Sequence, residues 1–461
     1  MKKLIFTATY LLIASLCYSQ TTLYVDEYVT GNDDTKAIAK AFNIAQGATE
    51  KVTIKFSSRT YIIDPVKIES SFKDSDILFT VMSNLTIEGG KNTRLVMKKS
   101  WTKQFDLQKG NFILFGNRKV IQNLVIQSMI IDFDGTHNNL KTKSGSLNNS
   151  FLYLKRCQNV KVSNIHVLNN PGRQSIYIGD GDKKGGYLAS NIIVEQCFFS
   201  NVADNLAGNS QNDHSSIYIA ADSAKINNNI FISGKGLSNV ATAIEAHTTN
   251  SDFSANRITN YSTGINIVAT DGDLVNCSFV ENDFNNVKKA FVFWSRPGRK
   301  MSKIRIANNR ISQAKISQSM VRMSGTLKSY IESLEITGNF FSGKRMPEKN
   351  AFANNHAIEL GYIKNVIIKG NAFKDVGGRA ITMVGRDFSS NKIDISGNTF
   401  SNVNAAKNDK YKFMVDLRAI GQITTLRITN NSIDRKDHFY YIGSKILVKT
   451  ALVKNNNLNS K

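Results

Sequence analysis

Glu245 and His247 stand two residues apart in the run Ala243-Ile244-Glu245-Ala246-His247, and the two-residue alternation of a strand puts both side chains on one face. Runs of the same form flank it: Ser175-Ile176-Tyr177-Ile178-Gly179, Ser216-Ile217-Tyr218-Ile219-Ala220, Gly264-Ile265-Asn266-Ile267-Val268 and Ala290-Phe291-Val292-Phe293-Trp294. With these strands side by side, Tyr218 falls one strand before Glu245 and Asn266 one strand after. The turn beyond Asn266 brings Asp271 and Asp273, and Trp294-Ser295-Arg296-Pro297-Gly298-Arg299-Lys300 makes a basic loop with an aromatic edge. His214 opens the strand that carries Tyr218. A single histidine on a strand is ordinarily only a polar surface residue. Carboxylate, imidazole, phenol and guanidinium converging within a few strands make the stronger case for chemistry.

Two reactions use such groups. In β-elimination on a uronate, a base takes the proton alpha to the carboxylate while a cation or neutral acid stabilises the enolate-like charge. The sequence assigns His247 as base, Tyr218 as proton donor to the leaving oxygen, Glu245 as the residue orienting His247, and Arg296 and Arg299 as carboxylate neutralisers. Arg322 lies three strands from Glu245, about 14 Å at ordinary strand spacing. It therefore joins Tyr177, Asn266, Trp294, Lys300, Glu359 and Arg418 as a substrate-binding candidate. Hydrolysis of a glycosidic bond needs two carboxylates instead, with Glu245 as acid and Asp271 or Asp273 as base. The same acids, Asp271 and Asp273 foremost, are the candidate ligands of a calcium ion. A groove that binds a glycan without cutting it is the third reading. The leading expectation is elimination on an acidic, uronate-containing polysaccharide, sulfated or not.

A working strand face needs a scaffold that repeats it, and the chain repeats the phrase apolar-x-apolar-x-x-Asn-x-apolar. Asn229, Asn256, Asn282, Asn309, Asn339, Asn371, Asn398, Asn431 and Asn456 follow one another at intervals of 27, 26, 27, 30, 32, 27, 33 and 25 residues. Earlier copies (192–199, 160–167 and 124–131) keep the apolar frame without the asparagine. A coil of three short strands and three turns fits this length. About thirteen such coils, stacked at ~4.8 Å, would make a cylinder about 60 Å long. An asparagine in a turn can bond its own backbone and its copies above and below, so these asparagines read as structural. With the isoleucine-like positions inward, the outward row reads Tyr153, Tyr177, Tyr218, Glu245, Asn266, Val292, Arg322, Glu359, Thr382 and Asp416. A parallel row carries His247, Val268, Trp294, Ser324 and Arg418. Ser175, Ser216, Ala243, Gly264 and Ala290 form a small-residue row expected to give the groove its depth. The fold expected is thus all-β, a parallel β-helix solenoid.

An open end of such a cylinder would expose its core. Gly31-Asn32-Asp33-Asp34-Thr35-Lys36-Ala37-Ile38 starts like a helix, with Asp33 or Asp34 as N-cap, and Ile38, Ala41, Phe42 and Ala45 follow at helical spacing. Strand, Gly-Asn-Asp-Asp-Thr-Lys-Ala-Ile and amphipathic helix together resemble the opening of the right-handed β-helices of pectate lyases and polygalacturonases. With the coil repeat, this resemblance to the pectin-lyase-like superfamily covers nearly the whole chain beyond residue 19, and it implies a carbohydrate-active protein. The paired aspartates, Gly-His-Gly and Arg-x-Lys of polygalacturonases are missing. So is the Lys–Arg pair on successive coils of the chondroitinase-B and alginate-lyase family. The iota-carrageenases, led by glutamate, remain compatible.

Composition sets the surroundings. Lys2 and Lys3, an apolar run from Leu4 to Leu16 and Cys17-Tyr18-Ser19 read as a signal peptide cut after Ser19, which implies a secreted or periplasmic protein. Leu16 is too large before Cys17 for ordinary lipoprotein processing. Residues 20–461 then form one domain, expected to be monomeric, with no segment able to span a membrane. The 461-residue chain carries 59 Lys and Arg against 36 Asp and Glu, a formal charge of +23. Outside the cytoplasm that charge suits an anionic polysaccharide better than nucleic acid, for which no binding module is visible. Cys157, Cys197 and Cys277 sit in apolar strand runs at wide spacing, as buried thiols do rather than as a disulfide framework.

Overall fold

The computed structural model describes residues 20–68, 77–101, 112–138, 149–181, 186–202, 215–234, 241–313, 318–324, 328–343, 356–404, 413–434, 439–443 and 446–458. Residues 1–19, with the signal segment and Cys17, lie outside them, as does His214. Every strand pairing given for the described residues is parallel apart from one isolated bridge, Gly181 with Tyr187. The chain is a solenoid in which each coil lays its strands on those of the coil before.

Register shows why. One inward row runs Leu23, Ile54, Ile87, Ile126, Val162, Val194, Ile226, Phe253, Phe279, Ile306, Ile336, Ile368, Ile395 and Ile428 in unbroken pairing. These are the apolar positions of the repeated phrase. A second row carries stacked rings, with Phe341, Phe373 and Phe400 about one strand spacing apart at centroid distances of 5.0 and 5.1 Å. A one-residue slip would turn either row to solvent, so burial alone fixes the register.

The asparagines lock it further. From Asn229 to Asn456 each backbone N–H and each Nδ2 donates to Oδ1 of the next asparagine, for example Asn282 to Asn309 at 2.8 and 3.0 Å. The second Nδ2 hydrogen reaches back to a carbonyl, as Asn282 does to Phe253 O at 2.9 Å. Cys197 starts the file, its N–H donating to Asn229 Oδ1 at 3.0 Å. A second, exposed asparagine ladder was not anticipated. Asn84, Asn123, Asn159 and Asn191 hold φ between 53° and 58°, the left-handed region asparagine tolerates, and each amide bonds its predecessor at 2.8–2.9 Å. Its signal is one asparagine per coil just ahead of the phrase.

The N-terminal end is closed by helix α1 (Asp34–Gln46), whose N-cap Asp33 accepts from Lys36 N. Ala37, Ile38, Ala41, Phe42 and Ala45 are buried, and the Phe42 ring lies 5.3 and 5.6 Å from those of Phe79 and Phe115. Cys157, Cys197 and Cys277 are buried and free. No helix among the described residues is long and apolar enough to cross a membrane.

Replacing Asn282 by Ala removes a saturated amide and strands the two buried Asn256 donors, so a loss of about 2–4 kcal/mol in denaturant unfolding is expected. Asn159→Gly, on the exposed φ-positive ladder, should cost less than about 1 kcal/mol in the same measurement.

Candidate active site

Six parallel strands carry the site: β1 (Asn149–Leu154), β2 (Gln174–Gly179), β3 (Ser215–Asn227), β4 (Thr242–Thr249), β5 (Thr263–Ala269) and β6 (Lys289–Ser295). Tyr153, Tyr177, Tyr218, Glu245, Asn266, Val292, Arg322, Glu359, Thr382 and Asp416 pair in that order, which is the outward row expected. A cleft of about 730 Å³ lies over its first half, lined by Tyr153, Tyr177, Tyr218, Glu245, His247, Asn266, Asp271 and Trp294, with the cations Arg173, Lys289 and Arg296 around it. The tyrosine rings stack at 4.4 Å between Tyr153 and Tyr177 and again between Tyr177 and Tyr218. The imidazole of His247 follows them at a tilt of 37°, its centroid 4.7 Å from that of Tyr218.

His247 joins two carboxylates. Its Nε2 is 3.1 Å from Glu245 Oε1, and its Nδ1 is 2.9 Å from Asp271 Oδ2 and 3.1 Å from Thr270 Oγ1. Tyr218 donates its phenol proton to the same Asp271 Oδ2. The ring is almost wholly buried, whereas the Asp271 side chain keeps a quarter of its exposure. Burial by itself would push the imidazolium toward neutrality. The Asp271 and Glu245 carboxylates, bonded and charged on either side, outweigh it and raise the His247 pKa. Burial likewise opposes ionisation of Asp271, but His247, the Tyr218 hydroxyl and Arg296 together lower it to about 2. Tyr218 is pushed far above the ordinary phenol range by burial, then by the neighbouring Tyr177 and Asp271, and stays a proton donor.

The Asp271 turn is clamped from outside the strands. Asp273 takes Lys300 N on Oδ1 at 3.0 Å, and its carbonyl accepts Tyr187 Oη at 2.7 Å. Gly181 approaches so closely that a Cβ there would stand 2.0 Å from Asp271 O. Arg296 N bonds Ala269 O at 3.0 Å, tying the basic loop to the same turn.

Several expectations change. Arg299 and Lys300 line a separate depression with Lys328, Tyr330 and Glu332, away from the carboxylates, because the turn at Pro297-Gly298 carries them outward. Asp273 Oδ1 is engaged by the Lys300 N–H, whereas Asp271 Oδ2 is met by His247 and Tyr218. Both ring nitrogens of His247 face carboxylates, which leaves it none with which to take a substrate proton. Arg322 and Glu359 lie beyond the cleft lining, in the coils that follow, and Glu359 accepts Ser319 Oγ at 2.6 Å. Arg418 is in a strand, but its side chain lies outside the described residues. The small-residue row is not groove floor. Ser216 Oγ meets the buried Tyr261 Oη at 3.0 Å, and a Cβ on Gly264 would strike the Phe284 ring at 2.5 Å, so this row turns into the core. Missed altogether were Arg173, Gly181, Tyr187, Thr270 and Lys289. Only Lys289, in register with Thr263 at the start of a site strand, was within reach of the repeat.

No protein-family model matches the chain, and no curated protein matches it. Solved structures do. The tailspike protein of Escherichia coli bacteriophage HK620 in complex with a pentasaccharide aligns at TM-score 0.70 and 14% identity, over 93% of this chain and 80% of that one. A mutant of that tailspike in complex with a hexasaccharide aligns at TM-score 0.68 and 15% identity over the same shares. The likeness establishes the fold, a right-handed parallel β-helix.

The site's charge state is open to direct measurement. Long-range ¹H–¹⁵N spectra should show His247 keeping its second proton to a higher pH than a free imidazole, and Asp271→Asn should shift that titration downward. A raised histidine pKa gives stability that is full below 6.5 and lost as pH rises through the folded value. The lowered Asp271 pKa gives stability present above 3.8 and lost as pH falls toward about 2. The wild-type protein should therefore lose stability at both limits, and Asp271→Asn should flatten the acidic one.

Proposed function

We propose that this chain is a glycoside hydrolase that cuts a polysaccharide laid along the site strands. The observation that carries the reading is the placing of Glu245 and Asp271 on opposite nitrogens of one buried imidazole, at a cleft open to solvent. Hydrolysis needs two carboxyl groups, one to activate a water and one to protonate the leaving oxygen, and both of these line the cleft. Asp271 receives His247, Tyr218 and the field of Arg296, which keep it ionised and fit it to orient and deprotonate that water. Glu245 receives the Nε2–H of His247; a proton passed along that bond makes Glu245 the acid that protonates the leaving glycosidic oxygen, as Asp271 takes one from the water. His247 is a positioning residue that fixes both acids, and Tyr218 positions Asp271.

The elimination expected from sequence loses support because its base, His247, is buried and engaged on both nitrogens by groups that favour its protonated form. The tailspike structures bind oligosaccharides on the same fold, which agrees with a glycan substrate. No step here requires a metal.

The test is release of reducing ends from a panel of neutral, uronate-containing and sulfated polysaccharides. Glu245→Gln and Asp271→Asn should each lower kcat by about 10³-fold with KM little changed, as for interactions made only in the transition state. NMR of the first product reads whether the anomeric configuration is inverted or retained. Unsaturated uronate absorbance in place of simple reducing ends would restore elimination, and binding without either product would leave a glycan-binding protein.

A further inference from the structure

Asp271 belongs to a turn, and the strand register that places Glu245 stops short of it. A segment from another coil makes up the difference. After β2 the chain leaves the sheet at Gly179, where φ is +89° and a Cβ would stand 1.8 Å from Ala220 O on β3. Gly181 and Tyr187 then face each other in the one antiparallel bridge among the described residues, and Leu188 N closes on Asp180 O at 2.9 Å. The turn this segment meets follows β5, three coils on, at a distance on the order of 14 Å along the axis.

The meeting has two contacts. Gly181 lies against the backbone of Asp271, so that a Cβ there would stand 2.0 Å from its O and 2.5 Å from its C. Tyr187 Oη donates to Asp273 O at 2.7 Å. The titratable and charged groups acting on that phenol are Cys277, Asp271, Asp273 and Arg299. Burial first, then the first three of these, raise its pKa against the opposing arginine, so the hydroxyl keeps the proton it donates. Glu245, His247 and Asp271 line the cleft, whereas Gly181 and Tyr187 stand outside that lining, behind Asp271.

We propose that Tyr187 is a positioning residue, which through the Asp273 carbonyl holds the 270–273 turn so that the Asp271 carboxylate meets His247 and faces the cleft, with Gly181 as the stop on which the turn rests. The catalytic importance of this placing rests on the hydrolase reading; the placing itself does not. Deleting the hydroxyl removes a tether, and adding a methyl group at Gly181 pushes on the same turn. Both displace Asp271 from His247 without altering either side chain. A shift of about 1 Å in a catalytic group is enough to cost about 100-fold in rate.

The experiment compares Tyr187→Phe, Gly181→Ala and Tyr61→Phe with the wild-type protein. Tyr61 is the control, a buried phenol bonded to Asp26 Oδ2 at 2.8 Å near the N-terminal cap. The readouts are the His247 titration in long-range ¹H–¹⁵N spectra, and kcat and KM for reducing-end release from whichever polysaccharide of the panel is cut. In Tyr187→Phe and Gly181→Ala the His247 titration should move down, toward that of Asp271→Asn, and kcat should fall about 10- to 100-fold with KM little changed. Tyr61→Phe should lower stability in denaturant and move neither readout. A Tyr187→Phe protein with wild-type titration and wild-type kcat would overturn the proposal. So would an equal titration shift in Tyr61→Phe, which would make the shift a general effect of lost stability. A titration shift in Tyr187→Phe alone, in a protein that cuts no polysaccharide or cuts it at the wild-type rate, would keep the positioning role and remove Asp271 from the chemistry.

Discussion

Everything in this molecule depends on parallel coils stacking in fixed register. The inward row from Leu23 to Ile428 never slips, since a shift of one residue would expose it, and the asparagine file from Asn229 to Asn456 adds a polar lock at the same interval. Once register is fixed, every position two residues along a strand belongs to a column parallel to the axis. Tyr153, Tyr177, Tyr218 and Glu245 share a face for this reason, and none needs a local interaction to find it.

On that rigid face the chemistry is arranged by charge. A nearly inaccessible imidazole would ordinarily be neutral, and two carboxylates close together would ordinarily share a proton. Placing the ring between Glu245 and Asp271 resolves both costs, and Tyr218 and Thr270 take up hydrogen-bonding capacity that remains at Asp271 and at Nδ1. Asp271 comes from a turn rather than a strand. The packing of Gly181 and the Tyr187 bond to Asp273 O therefore hold it as firmly as if it belonged to the sheet.

How much of this was legible in the sequence follows from the same division. The strand columns were readable because alternation and repeat interval are local properties: Glu245, His247, Tyr218 and Asn266 fell where expected. Helix α1 was readable from one cap and four apolar positions. Turn geometry was not. Asp271 and Asp273 are two residues apart and equivalent on paper, yet one faces the cleft and the other caps a backbone amide. Arg296 and Arg299 divide in the same way, because the Pro297-Gly298 turn redirects the chain between them. The segment around Gly181 reaches the Asp271 turn across three coils, a contact no periodicity encodes.

The asparagine file has a direction. Each amide donates forward to the next coil, so its hydrogen bonds are complete only when its successor is in place. A cylinder cut between any two of these coils would expose one set of unpaired amides and one ring of core side chains, whatever its length. The free energy of the fold is then a constant surface term for the ends plus a bulk term proportional to the number of coils, as in a one-dimensional crystal. Such an object has a minimum length below which it does not persist, and helix α1 lowers that length by removing one of its two surfaces.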